Sequence, residues 1–248
     1  MLVDSHCHLD WFKNPAEIME NAKKKNVELV LSNATGKKSI EANLLLAEKF
    51  PNVKIALGIH PVDLLKMSET DQKEAFELIK NNLSKATAIG EIGLDHKYAD
   101  ETQKEFQEHL FRHFVDLAIS NNLPCVVHAR YAETQCLDIL EGMQAKKVLM
   151  HWFTNSKKTS TRAVSLGYYL SCGPIILNDL PSAEIVKETP LENLLLETDA
   201  PVSFNGEQSE PSWIPKVCEK VAELKGVDFE VVSEVTGRNF NALFGNNI

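Results

Sequence analysis

No apolar stretch of this 248-residue chain approaches the ~18 consecutive residues of a membrane span. Its start, MLVDSHCH, lacks the basic region and long apolar segment of a secretory signal, so the expected compartment is the cytoplasm. Cysteine is sparse. Cys7, Cys125, Cys136, Cys172 and Cys218 are odd in number and scattered without a C-x-x-C pair, which argues against a disulfide framework. Positive charge is also short: 26 Lys and Arg against 35 Asp and Glu leave a formal charge of −9. That balance argues against a broad basic surface gripping long duplex DNA, but not against a metal site that takes one or a few phosphates. No P-loop or G-x-G-x-x-G phosphate cradle is present, and no G-x-S-x-G elbow, which weakens a serine-hydrolase reading. No low-complexity linker or 20–50-residue repeat divides the chain.

What is present is a regular alternation of short apolar runs with amphipathic stretches. The runs predict strands at Leu2–Leu9, Val27–Asn33, Lys54–Ile59, Thr87–Ile92, Cys125–His128, Lys147–Trp152, Tyr168–Ser171 and Leu194–Glu197. Helices are predicted between them at Pro15–Lys25, Lys38–Lys49, Asp71–Leu83, Thr102–Asn121, Ala132–Met143, Ser156–Leu166 and Ala183–Lys187, then at Ser212–Leu224 and Phe229–Leu243. Eight strands in 248 residues give 248/8 = 31 residues per unit, the size of a βα repeat. Runs rich in Val, Leu and Ile are those of parallel strands buried on both faces. The fold expected is a TIM-type (β/α)8 barrel, an α/β architecture in a single domain over residues 1–248, with its active site at the carboxyl ends of the strands. The longest irregular segment is the acidic loop Ala200–Pro211.

Metal-ligand side chains fall where those strands are predicted to end: His6 and His8, Glu91, His128, His151 and Asp199. His6 and His8 are two apart, so strand alternation turns both to one face and Cys7 to the other, as a packing residue. Asp4 shares their parity and is placed to orient a histidine ligand from behind. Glu197 lies below Asp199 on the same face. Crowding these carboxylates and imidazoles into one mouth without a cation would cost several kcal/mol per desolvated ion. Imidazole with carboxylate suits Zn, Mn, Fe or Ni, and the carboxylates admit Mg. The reading is a metal-dependent hydrolase.

Five segments, in order along nearly the whole chain, carry a resemblance: LVDSHCHLD at the start, GIHP at Gly58–Pro61, GEIGLD at Gly90–Asp95, LPCVVHAR at Leu123–Arg130 and LLLETDAP at Leu194–Pro201, with NALF at Asn241–Phe244 closing it. Together they resemble the TatD family of metal-dependent deoxyribonucleases, within the amidohydrolase-like barrels. The resemblance implies two divalent ions (Mg, Mn or Zn). His6, His8, Glu91 and Asp199 would hold one, and His128, His151 and Glu91 the other, with Glu91 bridging. Six ligands also exceed what one four-coordinate ion with an open position needs. The chain departs from the family pattern in three places. Trp152-Phe153-Thr154-Asn155 follows His151 where the family has serine or cysteine and then F-S-G, Ala129 stands where a serine or threonine is frequent, and the loop after Pro201 is acidic where an arginine is usual. The metal shell matches and the substrate-contacting shell differs.

The chemistry implied is hydrolysis by metal-activated water, with Asp199 accepting the water's proton and Glu91 serving in the same centre. Two divalent ions against two shell carboxylates leave about +2 to receive a phosphate. His60 is placed to touch substrate or the leaving oxygen, or else to fix its loop. Arg130 is placed to bind a phosphate oxygen, or else to pair with a loop carboxylate. Trp152 and Phe153 either stack on a base or pack on the barrel rim. His96 is second-sphere or exposed, and His109 and His113 are helix-flank residues, since Leu110 stands where a zinc-protease helix needs glutamate. The favoured activity is phosphodiester cleavage at nucleic-acid ends, single-stranded DNA above all, by an exonuclease with no obligate protein partner and no membrane. The alternatives are an ester or amide hydrolase, such as a deacylase of aminoacylated nucleotides, and a catalytically silent metal-binding protein.

Overall fold

A computed structural model describes residues 1–153 and 156–245. Its strands are β1 (Leu2–Cys7), β2 (Val27–Asn33), β3 (Val53–Leu57), β4 (Ala88–Asp95), β5 (Cys125–Arg130), β6 (Val148–Met150), β7 (Tyr169–Cys172) and β8 (Leu194–Leu196). They follow chain order in one sheet, and the described pairings are parallel. The helices between and after them are α1 (Pro15–Lys24), α2 (Lys37–Lys49), α3 (Pro61–Leu64), α4 (Glu69–Asn81), α5 (Glu101–Ser120), α6 (Glu133–Gly142), α7 (Lys157–Ser165), α8 (Leu180–Glu188), α9 (Ile214–Lys225) and α10 (Phe229–Phe244). The first strand also meets the last. Ser5 Oγ donates to the Leu196 carbonyl at 2.8 Å, and the Asp199 N–H donates to the His6 carbonyl at 2.9 Å. This is the (β/α)8 barrel fold. None of the described helices is long and apolar enough to cross a membrane.

The chain forms two compact units, Met1–Ser32 with His151–Ile248, and Asn33–Met150. In the first, every residue of β1 is buried, as a strand covered on both faces must be. Helix α10 covers it: Gly237 lies so close that a Cβ there would sit 2.7 Å from the Met1 carbonyl oxygen. Asn239 on the same helix donates to the carbonyls of Leu191 (2.9 Å) and Leu194 (2.8 Å), tying α10 to the start of β8. Asp4 ties β1 to the far end of β8, accepting from the Thr198 N–H at 3.0 Å and the Thr198 hydroxyl at 2.5 Å. Burial pushes its carboxyl up to about 8 against these hydrogen bonds.

In the second unit, close backbone approach shapes β3, β4 and β5. Gly93 has φ +140°, open to glycine alone, and a Cβ there would lie 2.0 Å from the His128 carbonyl oxygen. Helix α5 starts from a capping box, with Asp100 accepting from the Gln103 N–H at 2.9 Å and Gln103 accepting from the Asp100 N–H at 3.0 Å. One turn on, the buried Gln107 accepts from the Asp95 N–H and donates to the Pro61 carbonyl, which ties the end of β4 to the GIHP segment.

The structure corrects several boundaries. Strands β4 and β5 run on to Asp95 and Arg130, so Glu91 and His128 lie inside strands rather than at their ends. Strand β6 stops at Met150 because the chain turns at Trp152, whose φ is +42°. Helix α8 starts at Leu180, three residues earlier than predicted, because Asp179 caps it by accepting from the Ser182 N–H at 2.9 Å. The loop Ala200–Pro211, read as irregular, holds a hairpin of β9 (Ser203–Phe204) and β10 (Glu207–Gln208). Its turn is Asn205-Gly206, with φ of +51° and +83°, the residue pair such a two-residue turn favours.

Candidate metal centre

The first unit gathers His6, His8, His151 and Asp199. His6 lies on β1 and His8 one residue past its end, as strand parity required. Asp199 follows β8 in a left-handed conformation, φ +49°, a strained backbone of the kind that clusters at functional sites. Its Oδ1 stands 3.3 Å from His6 Nε2 and 3.3 Å from His8 Nε2. Burial raises the Asp199 carboxyl, but hydrogen bonds from His6 and His8 and the nearby charge of His6 and His151 outweigh it and hold the group well below the usual carboxylate range. The His6 ring stacks on His151, centroids 3.9 Å apart and 6° between planes. His6, His151 and Asp199 each offer a ligand atom within 4.8 Å of the others. Separations of 3.3 Å match the edge of a tetrahedron with ~2.0 Å metal–ligand bonds, so this donor set fits a transition-metal or similar divalent ion.

Glu91 and His128 meet in the second unit. Glu91 is 2% exposed, and its Oε1 lies 2.9 Å from His128 Nδ1. The other ring nitrogen, Nε2, lies 3.2 Å from Asp95 Oδ2. His60 joins them: its ring meets His128 edge-on at 4.5 Å, and its Nε2 is 3.7 Å from Glu91 Oε1. Its Nδ1 accepts from the Val62 N–H at 3.2 Å and so caps α3. One nitrogen thus fixes the loop and the other faces Glu91.

Asp95 is the residue that sequence reasoning missed. Its signal was present in GEIGLD, where Glu91 and Asp95 share strand parity. Asp4 is a correction: its carboxylate binds the Thr198 N–H and hydroxyl and the His6 main-chain N–H, so it orients the end of β8 rather than an imidazole. Glu197 instead accepts from the Ser171 hydroxyl at 2.5 Å and lies 3.8 Å from His151 Nδ1. Arg130 is exposed, with its guanidinium over the Tyr98 ring at 5.5 Å. Cys7 is buried and its thiol is pushed far up by burial, as a packing residue requires. Phe153 is buried, whereas Trp152 stacks on Phe204 of the hairpin at 5.3 Å. Trp11 stacks on the His8 ring at 4.6 Å and stays 52% exposed. Thr154 and Asn155, which break the expected pattern after His151, lie outside the described residues.

The family model for TatD-related DNases matches residues 3–245, from the strand bearing His6 to the end of α10. The chain belongs to the TatD family. It is 35% identical to a Bacillus subtilis protein named as the uncharacterized metal-dependent hydrolase YabD, covering 98% of this chain and 99% of that one. It is 34% identical to human deoxyribonuclease TATDN3, covering 98% and 94%. The crystal structure of the TatD homologue YjjV of Escherichia coli superposes with a TM-score of 0.90 at 28% identity, covering 98% of each chain. A TatD-family hydrolase of Entamoeba histolytica, at 19% identity and a TM-score of 0.86, shares the fold. This TatD protein is an enzyme, a metal-dependent hydrolase.

Proposed function

We propose that this enzyme, acting as one catalytic domain over residues 1–248, cleaves phosphodiester bonds at nucleic-acid ends. Its most fitting activity is that of an exonuclease on single-stranded DNA. The observation that carries this reading is a set of aromatic rings beside the candidate ligands of the first unit, of which Trp11 is 52% exposed and Trp152 and Phe204 are half-buried. Trp11 stacks on His8, and Trp152, directly after His151, stacks on Phe204. Base–aromatic stacking tolerates any sequence and suits unpaired ends. The name of the human relative, a deoxyribonuclease, supports the same substrate class.

His6, His8, Glu91, His128, His151 and Asp199 are the proposed ligands of two divalent ions. Such ions supply Lewis acidity, lowering the pKa of a water toward ~7 and offsetting phosphate charge. Asp199, ionised and aimed at the imidazoles, takes the water's proton. Glu91 would supply a carboxylate oxygen beside His128 Nδ1 and offset the charge of the ions. His60 presents Nε2 to substrate or leaving oxygen while Nδ1 keeps its loop in register. Arg130, exposed and steadied over Tyr98, is placed to bind a phosphate oxygen.

One observation favours a second reading. The hairpin carries Glu207 exposed, and the loop between Pro201 and Pro211 holds no arginine. An acidic rim suits a substrate with a cationic amino group, such as an aminoacylated nucleotide, and the enzyme would then be a deacylase on the same metals.

A time course on end-labelled single-stranded DNA, with Mg or Mn and with chelator, beside the His128→Ala protein, tests the proposal. Metal-dependent stepwise shortening that the variant lacks supports it, and the label's position reports polarity. No shortening by folded, metal-loaded enzyme would sink it in favour of the ester or amide substrate.

A further inference from the structure

The His128 ring is held between two carboxylates on one strand. Glu91 Oε1 faces Nδ1 at 2.9 Å, and Asp95 Oδ2 faces Nε2 at 3.2 Å. Glu91 and Asp95 both belong to β4, and His128 sits on the paired strand β5, with Gly93 opposite it in register and Asp95 opposite Arg130. Asp95 is itself fixed. It is 1% exposed, its N–H donates to the buried Gln107 at 3.0 Å, and its Oδ1 accepts from the Lys97 N–H at 2.9 Å. Its Oδ2 is thereby left pointing at the imidazole.

We propose that Asp95 is a positioning residue that keeps the His128 proton on Nε2 and so keeps the Nδ1 lone pair for the ion that Glu91 also binds. This rests on the ligand reading of His128 given above. The argument is one of valence. A carboxylate only accepts, so a hydrogen bond to Asp95 requires hydrogen on Nε2, and a neutral imidazole then has its lone pair on Nδ1. A negative acceptor behind the ring also makes Nδ1 more basic, and so a better ligand. The capping box and Gln107 of α5 acquire a purpose in this arrangement: they hold the end of β4, and with it Asp95, at a fixed distance from β5.

The test uses the full-length protein and Zn as the probe. Affinity and stoichiometry are measured by titration of metal-free protein, and the His128 ring is followed by nitrogen-edited NMR of the zinc-loaded form. Wild type should show a slowly exchanging Nε2–H. Asp95→Ala should lose that signal and bind the His128-dependent ion about 10–100-fold more weakly, the usual effect of removing such an outer partner. Asp95→Asn preserves shape without charge and should fall between. A protected Nε2–H in Asp95→Ala, with affinity within twofold of wild type, overturns the proposal. If Asp95→Ala does not fold, Asp95→Asn decides alone, and affinity equal to wild type overturns it. His128→Ala separates the two levels. If it binds the same number of ions as wild type, the ligand assignment of His128 has failed. If it loses one ion while both Asp95 variants keep it, only the role of Asp95 has failed.

Discussion

His6 and His151 stack almost flat on each other, centroids 3.9 Å apart, although they belong to strand ends separated by most of the chain. Each ring offers a ligand atom within 4.8 Å of the other's and of an Asp199 oxygen. Replacing His6 or His151 with alanine should remove an ion and abolish turnover, by more than the ~10–100-fold that loss of an outer partner costs. Metal analysis of the purified variants, alongside rates, checks this. Full metal content in both would remove them from the ligand set.

Asp199→Asn keeps the size of the side chain and its place after β8 but discards the charge and the proton acceptor. Its kcat should fall by about 10²–10⁴-fold with little change in KM, as for loss of a general base. Steady-state kinetics at saturating metal give the answer, and an unchanged kcat would assign the proton to another group.

The Trp152–Phe204 stack predicts a division between substrates. Phe204→Ala should raise KM for single-stranded DNA roughly tenfold, within the ~1–3 kcal/mol that one base stack supplies. A small phosphodiester without a base should be hydrolysed as by wild type. Equal loss on both substrates would mean that the hairpin is needed for the centre itself.

Gly93→Ala asks for a Cβ 2.0 Å from the His128 carbonyl oxygen at φ +140°. The backbone cost alone is on the order of 1–3 kcal/mol, and β4 or β5 must also move. Thermal unfolding should show a lowered Tm, and metal affinity should fall with it because His128 shifts. An unaltered Tm would show that the two strands have room to separate.

Asp179 gives a pH prediction away from the site. Its carboxyl is held below the usual carboxylate range by the hydroxyl and N–H of Ser182 at the start of α8. A depressed folded value means that the stabilisation is complete above the unfolded value near ~3.9 and lost as pH falls through the folded value. Asp179→Ala should therefore cost about 1 kcal/mol at neutral pH and progressively less below pH ~4. Urea unfolding of both proteins across that range tests it, and a difference independent of pH would assign the effect to packing.

The barrel and the candidate donor types were legible because they depend on local chemistry. Apolar runs of strand length at βα spacing identified the eight strands, and strand parity separated His6 and His8 from Cys7. Residue type alone marked Glu91, His128, His151 and Asp199 as ligand candidates. The hairpin was less visible, although Asn205-Gly206 carried the turn signal, because strands of two residues leave no periodicity to read.

The order of elements, the family and the chemical kinds of the donors were determined by sequence alone, since each follows from residue identity and spacing along the chain. Tertiary structure decided which carboxylate serves which imidazole. It sent Asp4 to Thr198 and Asp95 to His128, and it placed Trp11 over His8. Those choices depend on strand register and on the left-handed turn at Asp199, which are set by backbone packing across residues far apart in the chain.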